Sequence, residues 1–252
     1  MCTFAIFPDT KVGPVIGFCM DDAVDYADAP GFGTLKAPRC PANGIYRTEA
    51  GGGAYDYETE SQEIFPFEPP VGKCQNLDDV ERLLMRYRHF PKRRPRHVGF
   101  IDLNTRQTLL AEQSWSDAHV WRTADGVAFN TSGGPETPQL RKLCDPQNVR
   151  FKRHDVRMAS MCRALKDSQN ELSVETMWRM FLGHEYEGAV CQHEDTRPPG
   201  VYPITLMMWV MTPALGKLWV RFYTDGRPPC KSEPTEISFD PWRCEAGGAL
   251  QP

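Results

Sequence analysis

No stretch of the chain comes near the roughly 18 consecutive apolar residues that a membrane-crossing helix needs, and the N-terminus lacks a basic region followed by an apolar core. Neither a membrane span nor a secretory signal is expected, and the expected location is cytoplasmic. An excess of positive charge is also missing: 29 Lys and Arg against 33 Asp and Glu leave a net charge of −4. That balance provides no overall field to draw in nucleic acid or an anionic membrane, so the expected partner is a small molecule or a protein. There is no CxxC pair among the nine cysteines, and their number is odd. A disulfide framework and a zinc ribbon are thereby disfavoured, while reduced and mostly buried thiols fit. Neither an internal repeat nor a separable linker interrupts the 252 residues, which predicts one domain over 1–252.

What the chain does contain is ordinary globular patterning. Residues 2–7 and 12–18 read as two strands joined by "PDTKVGP", a hairpin that places Cys2 at a strand start and Asp21 just past the return strand. Residues 27–70 are rich in Gly and Pro with little periodicity, the character of a long binding loop. "NLDDVERLLMRYRHF" spaces Leu77, Val80, Leu83, Leu84 and Tyr87 along one helix face, with Asn76 as the cap and Pro91 as the stop. Strands are predicted at "HVGFIDLN", "QTLLAEQS" and "HVWRT", with "GVAFNTS" closing the meander through an "ADG" turn. Helical spacing returns over 149–168 and 173–182, the latter capped by Ser173, and three strands follow in "YPITLMMWVMTP", "GKLWVRFYT" and "EISFD". Met207, Met208, Trp209 and Met211 alternate as strand core.

The chain begins "MCT". Methionine is normally trimmed before a small residue, which would leave Cys2 with both a thiol and a free α-amine. Such an amine has a pKa of about 7.7–8.0, low enough to take the thiol proton near neutral pH. Nucleophile and general base then occupy one residue. Chemistry of this kind further needs a carboxylate to hold the ammonium, donors for an oxyanion and an acyl pocket. Asp21 is well placed for the first.

"MCT", the short hairpin and then Gly17 to Asp21 resemble the start of the N-terminal-nucleophile cysteine hydrolases, the group of choloylglycine and penicillin V hydrolases. "GAVCQHEDTRPPGVYPITLMMWVMTPALGKLWVRFYTDGRPPC" is similar to the C-terminal part of the isopenicillin-N acyltransferase and carcinine hydrolase family. "HVGFIDLNTRQTLLAEQS" and "HVWRTADGVAFNTSGG" resemble that family's central strands and its Thr-Asn-His turn. The resemblance implies an α+β fold, a four-layer αββα sandwich of two antiparallel sheets with outer helices. It implies Cys2 as nucleophile, Asp21 as the carboxylate that orients its amine, and Asn130 as an oxyanion or amide donor. An arginine after the turn belongs to the pattern; Arg150, Arg153 and Arg157 are available, and Arg153 is taken. No cofactor is implied, and relatives are commonly homo-oligomers and often carry a propeptide.

Two departures bear on the site. Where relatives have Arg-Asn, this chain has Phe18 and Cys19, so a polar wall has become apolar or thiol-bearing. The second oxyanion asparagine is not recognisable, since Asn43 in "PANGIYR" lacks the context. Phe18, Met20 and Tyr26 are the candidate acyl pocket. The function expected is hydrolysis or acyl transfer at a linear amide, an N-acyl amine or N-acyl amino-acid derivative, through a thioester on Cys2. The alternative is an inactive or repurposed small-molecule-binding protein on the same fold. Cys191, His193 and Glu194 have metal-ligating chemistry but no second pair at ligand spacing, so no metal is expected.

Overall fold

The structure is a computed structural model and describes residues 2–22, 41–51, 71–89, 96–113, 117–123, 125–131, 149–184, 190–193 and 204–242. The hairpin at the start forms as the turn chemistry predicts: β1 (Thr3–Phe7) pairs antiparallel with β2 (Val15–Asp22), Thr3 opposite Cys19 and Phe7 opposite Val15. In the intervening turn Gly13 takes a positive φ of 83° and donates its N–H to the Thr10 carbonyl. The return strand runs further than expected and includes Asp21.

Two antiparallel sheets result. With β3 (Ile45–Gly51), β4 (Arg96–Asp102), β5 (Thr108–Gln113), β6 (Ala118–Trp121), β7 (Ala128–Thr131), β8 (Ile204–Thr212), β9 (Lys217–Phe222) and β10 (Thr235–Ser238), the six-stranded sheet has the order β10-β9-β8-β2-β1-β7. The four-stranded sheet has the order β3-β4-β5-β6. Two expectations are corrected here. β3 lies inside the stretch read as loop; it is an edge strand, and its Gly-rich flanks hid its short alternation. β7 does not continue the meander. It crosses from β6 to the other sheet and pairs with β1, Phe4 opposite Asn130 and Thr3 opposite Thr131. Gly126, at φ 72°, turns the chain there, and its carbonyl accepts from the Thr108 hydroxyl.

Alternation along the strands sorts side chains into three apolar layers. Phe4, Ile6, Ile16, Ile101, Leu110 and Met211 fill the space between the sheets. Ala5, Phe7, Val15, Cys19, Met208 and Val210 point the other way, against α2 (Val149–Asp167) and α3 (Val174–Leu182). On the far side of the small sheet, Val98, Phe100 and Leu109 pack on Leu77, Val80 and Leu84 of α1 (Leu77–Arg86). The layers therefore run helix, sheet, sheet, helix. Both predicted caps are present: the Asp79 N–H donates to Asn76 Oδ1 and the Thr176 N–H to Ser173 Oγ. Gly17 lets α3 approach β2, since a Cβ there would lie 2.5 Å from the Phe181 ring. No helix among the described residues is long and apolar enough to cross a membrane.

Candidate active site

β1 is flanked by β2 on one side and β7 on the other, so three strand ends converge where Cys2 begins the chain's first strand. Strand alternation decides which residues meet. Cys2 is half-buried and packs on the apolar layer between the sheets, beside Phe18. Asn130 is opposite Phe4, whose ring lies in that same layer, so Asn130 and Cys2 are diagonal neighbours on one face. The Asn130 carbonyl oxygen accepts the Thr131 N–H at 2.7 Å, leaving its NH₂ as the donor toward that face.

Asp21 approaches from the opposite face, two residues beyond the Thr3–Cys19 pair and so level with the start of β1. A register shift between Met20 and Asp21 in the pairing with β8 puts Asp21 opposite Thr205, the kind of bulge that re-aims a side chain. The carboxylate is buried and doubly held. Arg157 Nη2 donates to Oδ2 at 2.6 Å, and the Thr205 hydroxyl donates to Oδ1 at 2.7 Å. Both members of the Asp21–Arg157 ion pair are almost inaccessible, at 0% and 1% side-chain exposure. Removing one partner of such a pair strands the other charge, at a cost of about 3–5 kcal/mol.

Thr131 ties β7 to the start of β1 and to α2. Its hydroxyl donates to the Cys2 carbonyl at 3.2 Å and accepts from Thr3 Oγ1 at 2.9 Å and Arg157 Nη1 at 3.3 Å. Its carbonyl accepts from His154 Nδ1 at 2.8 Å, which fixes that nitrogen as the protonated one. His154 is fully buried rather than part of a polar helix face, and its ring stacks on His97 of the small sheet, 5.5 Å between centroids. His97 in turn faces Glu112, with Nδ1 3.4 Å from Oε1. A buried polar chain thus runs from the Cys2 backbone into the second sheet.

Of the candidate arginines whose side chains are described, Arg157 is the one seen to donate to Asp21. Arg153, one helical turn earlier, donates to the Gln192 amide oxygen instead, and Arg150 lies in the first turn of α2. Among the candidate pocket residues, Phe18 stacks on Trp209 at 5.8 Å and Met20 lies opposite Met207, both lining the inter-sheet face with Cys2. Tyr26 falls outside the described residues. Asn43 is a turn-locking residue: its NH₂ donates to the carbonyls of Val71 and Cys74, both at 3.1 Å. Cys19 faces the helical layer, where burial pushes its thiol well above the ordinary range and the nearby Asp21 charge adds to the effect. Of the two departures at 18 and 19, only Phe18 therefore borders the Cys2 face. Thr131 and Thr205 went unrecognised in the sequence. Thr131 sits beside Asn130 in "FNTS" with nothing to mark it, and Thr205 occupies the start of a strand that reads wholly as core.

No protein-family model matches the chain, and no curated protein matches it. Among solved structures, a cysteine-to-alanine mutant of the conjugated bile acid hydrolase from Clostridium perfringens superposes with a TM-score of 0.56 and 12% identity. The match covers 100% of this chain and 96% of that one. A second structure of that hydrolase, an arginine-to-leucine variant, gives 0.45 and 9% over 95% of this chain and 90% of that one. At such identity the likeness is one of fold. The chain has the α+β architecture of an N-terminal-nucleophile hydrolase, two antiparallel sheets packed face to face with helices outside.

Proposed function

We propose that this chain is a cysteine amidohydrolase or acyltransferase that acts on a linear amide through a thioester on Cys2. What supports the reading is the convergence at one end of β1: Cys2 and Asn130 are diagonal neighbours on one face, and buried Asp21 lies on the paired strand two residues past the Thr3–Cys19 pair. A fold found in a hydrolase of conjugated bile acids is in keeping with it.

The chemistry follows from the groups present. Once the residue before Cys2 is removed, its amine takes the thiol proton, and Asp21 holds the resulting ammonium. Sulfur attacks the amide carbon, a C–S bond forms, and the oxyanion accepts from the Asn130 NH₂. Collapse breaks the C–N bond as the Cys2 ammonium gives its proton to the departing nitrogen. Water then attacks the thioester, with the amine as base, and releases the acid. An acceptor amine or thiol in place of water gives transfer. Arg157 and Thr205 position Asp21, and the aromatic wall of Phe18 and Trp209 suits an apolar acyl group.

The test is intact mass before and after incubation with a panel of N-acyl amines. Protein lacking Met1 should acquire one acyl adduct, mapped to Cys2, and Cys2→Ala should remove both adduct and turnover while the melting temperature stays within a few degrees. Iodoacetamide should reach Cys2 well before Cys19, whose buried thiol stays protonated. Processed protein with no adduct and no fast-reacting Cys2 would instead favour the binding protein.

A further inference from the structure

Beyond the Cys2 region, one group of side chains comes from three separate stretches of chain. His184 stands just past α3, Cys191 and His193 lie on the segment 190–193, and Cys230 sits on the short turn Pro229–Lys231 after β9. One nitrogen or sulfur from each lies within 4.8 Å of every other. The two imidazoles meet edge to face at 4.9 Å between centroids, and the two thiols hydrogen-bond each other. Tetrahedral zinc, with bonds of about 2.3 Å to sulfur and about 2.0–2.1 Å to nitrogen, puts its ligand atoms about 3.3–3.8 Å apart. Closing this cluster to that size needs shifts of about 1 Å or less.

We infer that His184, Cys191, His193 and Cys230 form a tetrahedral metal site that takes zinc. The donor set decides the ion: two thiols and two imidazoles suit a borderline-soft cation, and the set includes none of the oxygen ligands that calcium or magnesium require. Four protein ligands complete the coordination and leave no position for a reacting water, so the role is structural. The cluster runs from the interior to the surface: Cys191 is fully buried, His193 is at 8% exposure, Cys230 is half-buried and His184 is exposed. Sequence alone offered Cys191, His193 and Glu194 without a second pair; the partners His184 and Cys230 lie at the end of a helix and in a distant turn, and Glu194 lies outside the described residues.

The site bears on the candidate active site through the backbone between its ligands. The Val190 carbonyl accepts from Arg157 at 2.5 Å. The Gln192 N–H donates to Thr205 Oγ1 at 2.8 Å, and the Thr205 N–H returns to the Gln192 carbonyl at 2.7 Å. Zinc would thus brace the segment that holds both residues gripping Asp21.

The experiment titrates full-length protein, stripped of metal under reductant, with cobalt and then zinc. Expected is about one cobalt per chain, with intense tetrahedral d–d bands and thiolate-to-cobalt charge transfer, displaced by about one equivalent of zinc. Zinc should also slow alkylation of Cys191 and Cys230 while leaving the exposed Cys162 on α2 unchanged. Cys191→Ser and Cys230→Ser should each lose the charge-transfer bands, and Cys162→Ser should keep them. A weak octahedral cobalt spectrum, or a Cys191–Cys230 disulfide that persists under reductant, would overturn the site. The wild-type titration needs no variant to fold and no turnover, so it stands or falls independently of the amidase reading.

Discussion

Arg157 illustrates how much one buried side chain can decide. Its guanidinium reaches Asp21, the Val190 carbonyl and the Thr131 hydroxyl, joining α2 to β2, to β7 and to the segment before β8. Replacing it with methionine removes the cation that faces the buried Asp21 carboxylate. Arg157→Met should therefore lose about 3–5 kcal/mol in urea unfolding and most of the turnover. Arg153→Met, which removes the contact to the Gln192 amide oxygen and does not strand the buried Asp21 carboxylate, should cost less, about 1 kcal/mol. Equal losses in the two variants would mean that the ion pair has no special weight. The order of importance among the arginines was not legible in "RFKRHDVR", because all three occupy one helix and only tertiary packing tells which turn faces Asp21. Cys2 and Asp21 stand out as candidates from a chain start and a strand end, while Asn130 is a candidate only through the family resemblance.

Whole elements announced themselves where local signals agreed. α1 and α3 combine an apolar stripe with a capping side chain, and both begin one residue after the predicted cap. β3 was missed because its flanks carry the Gly and Pro of a loop, and β7 was placed in the wrong sheet because a strand's own residues do not specify its partner. The start of α1 also supports a pH prediction. The Asp79 carboxyl is shifted down from its ordinary pKa, chiefly because the Gln75 N–H donates to it at 2.9 Å, with Arg82 and Asn76 assisting. A depressed carboxyl adds stability above its unfolded pKa, about 3.9, and loses it as pH falls through the folded value. Asp79→Asn should accordingly melt below wild type at about pH 7, with the gap closing as acidification protonates the folded carboxyl. A gap that stays constant on acidification would assign the effect to something other than this charge.

At the scale of the whole molecule, the two sheets pack closely where Gly99 of β4 faces Phe4 of β1. A Cβ on Gly99 would lie 2.5 Å from the Phe4 ring and 3.1 Å from Ile6, so the absence of a side chain there sets the spacing of the central layer. Phe4 is also the residue opposite Asn130 and two along from Cys2, which makes that spacing a property of the candidate site as well as of the core. Gly99→Ala overfills the layer and should cost about 1–3 kcal/mol. Phe4→Ala empties it and should cost about 3–5 kcal/mol. Because the added methyl falls where the ring was, the double variant should lose less than the sum of the two, a coupling of about 0.5–3 kcal/mol readable in urea melts. Turnover should follow the same order, since the overfilled layer pushes β1 away from the small sheet and moves Cys2 relative to the buried chain through His154, His97 and Glu112. Strict additivity in both stability and rate would show that the layer relaxes freely, and that the site's geometry is set within the six-stranded sheet alone.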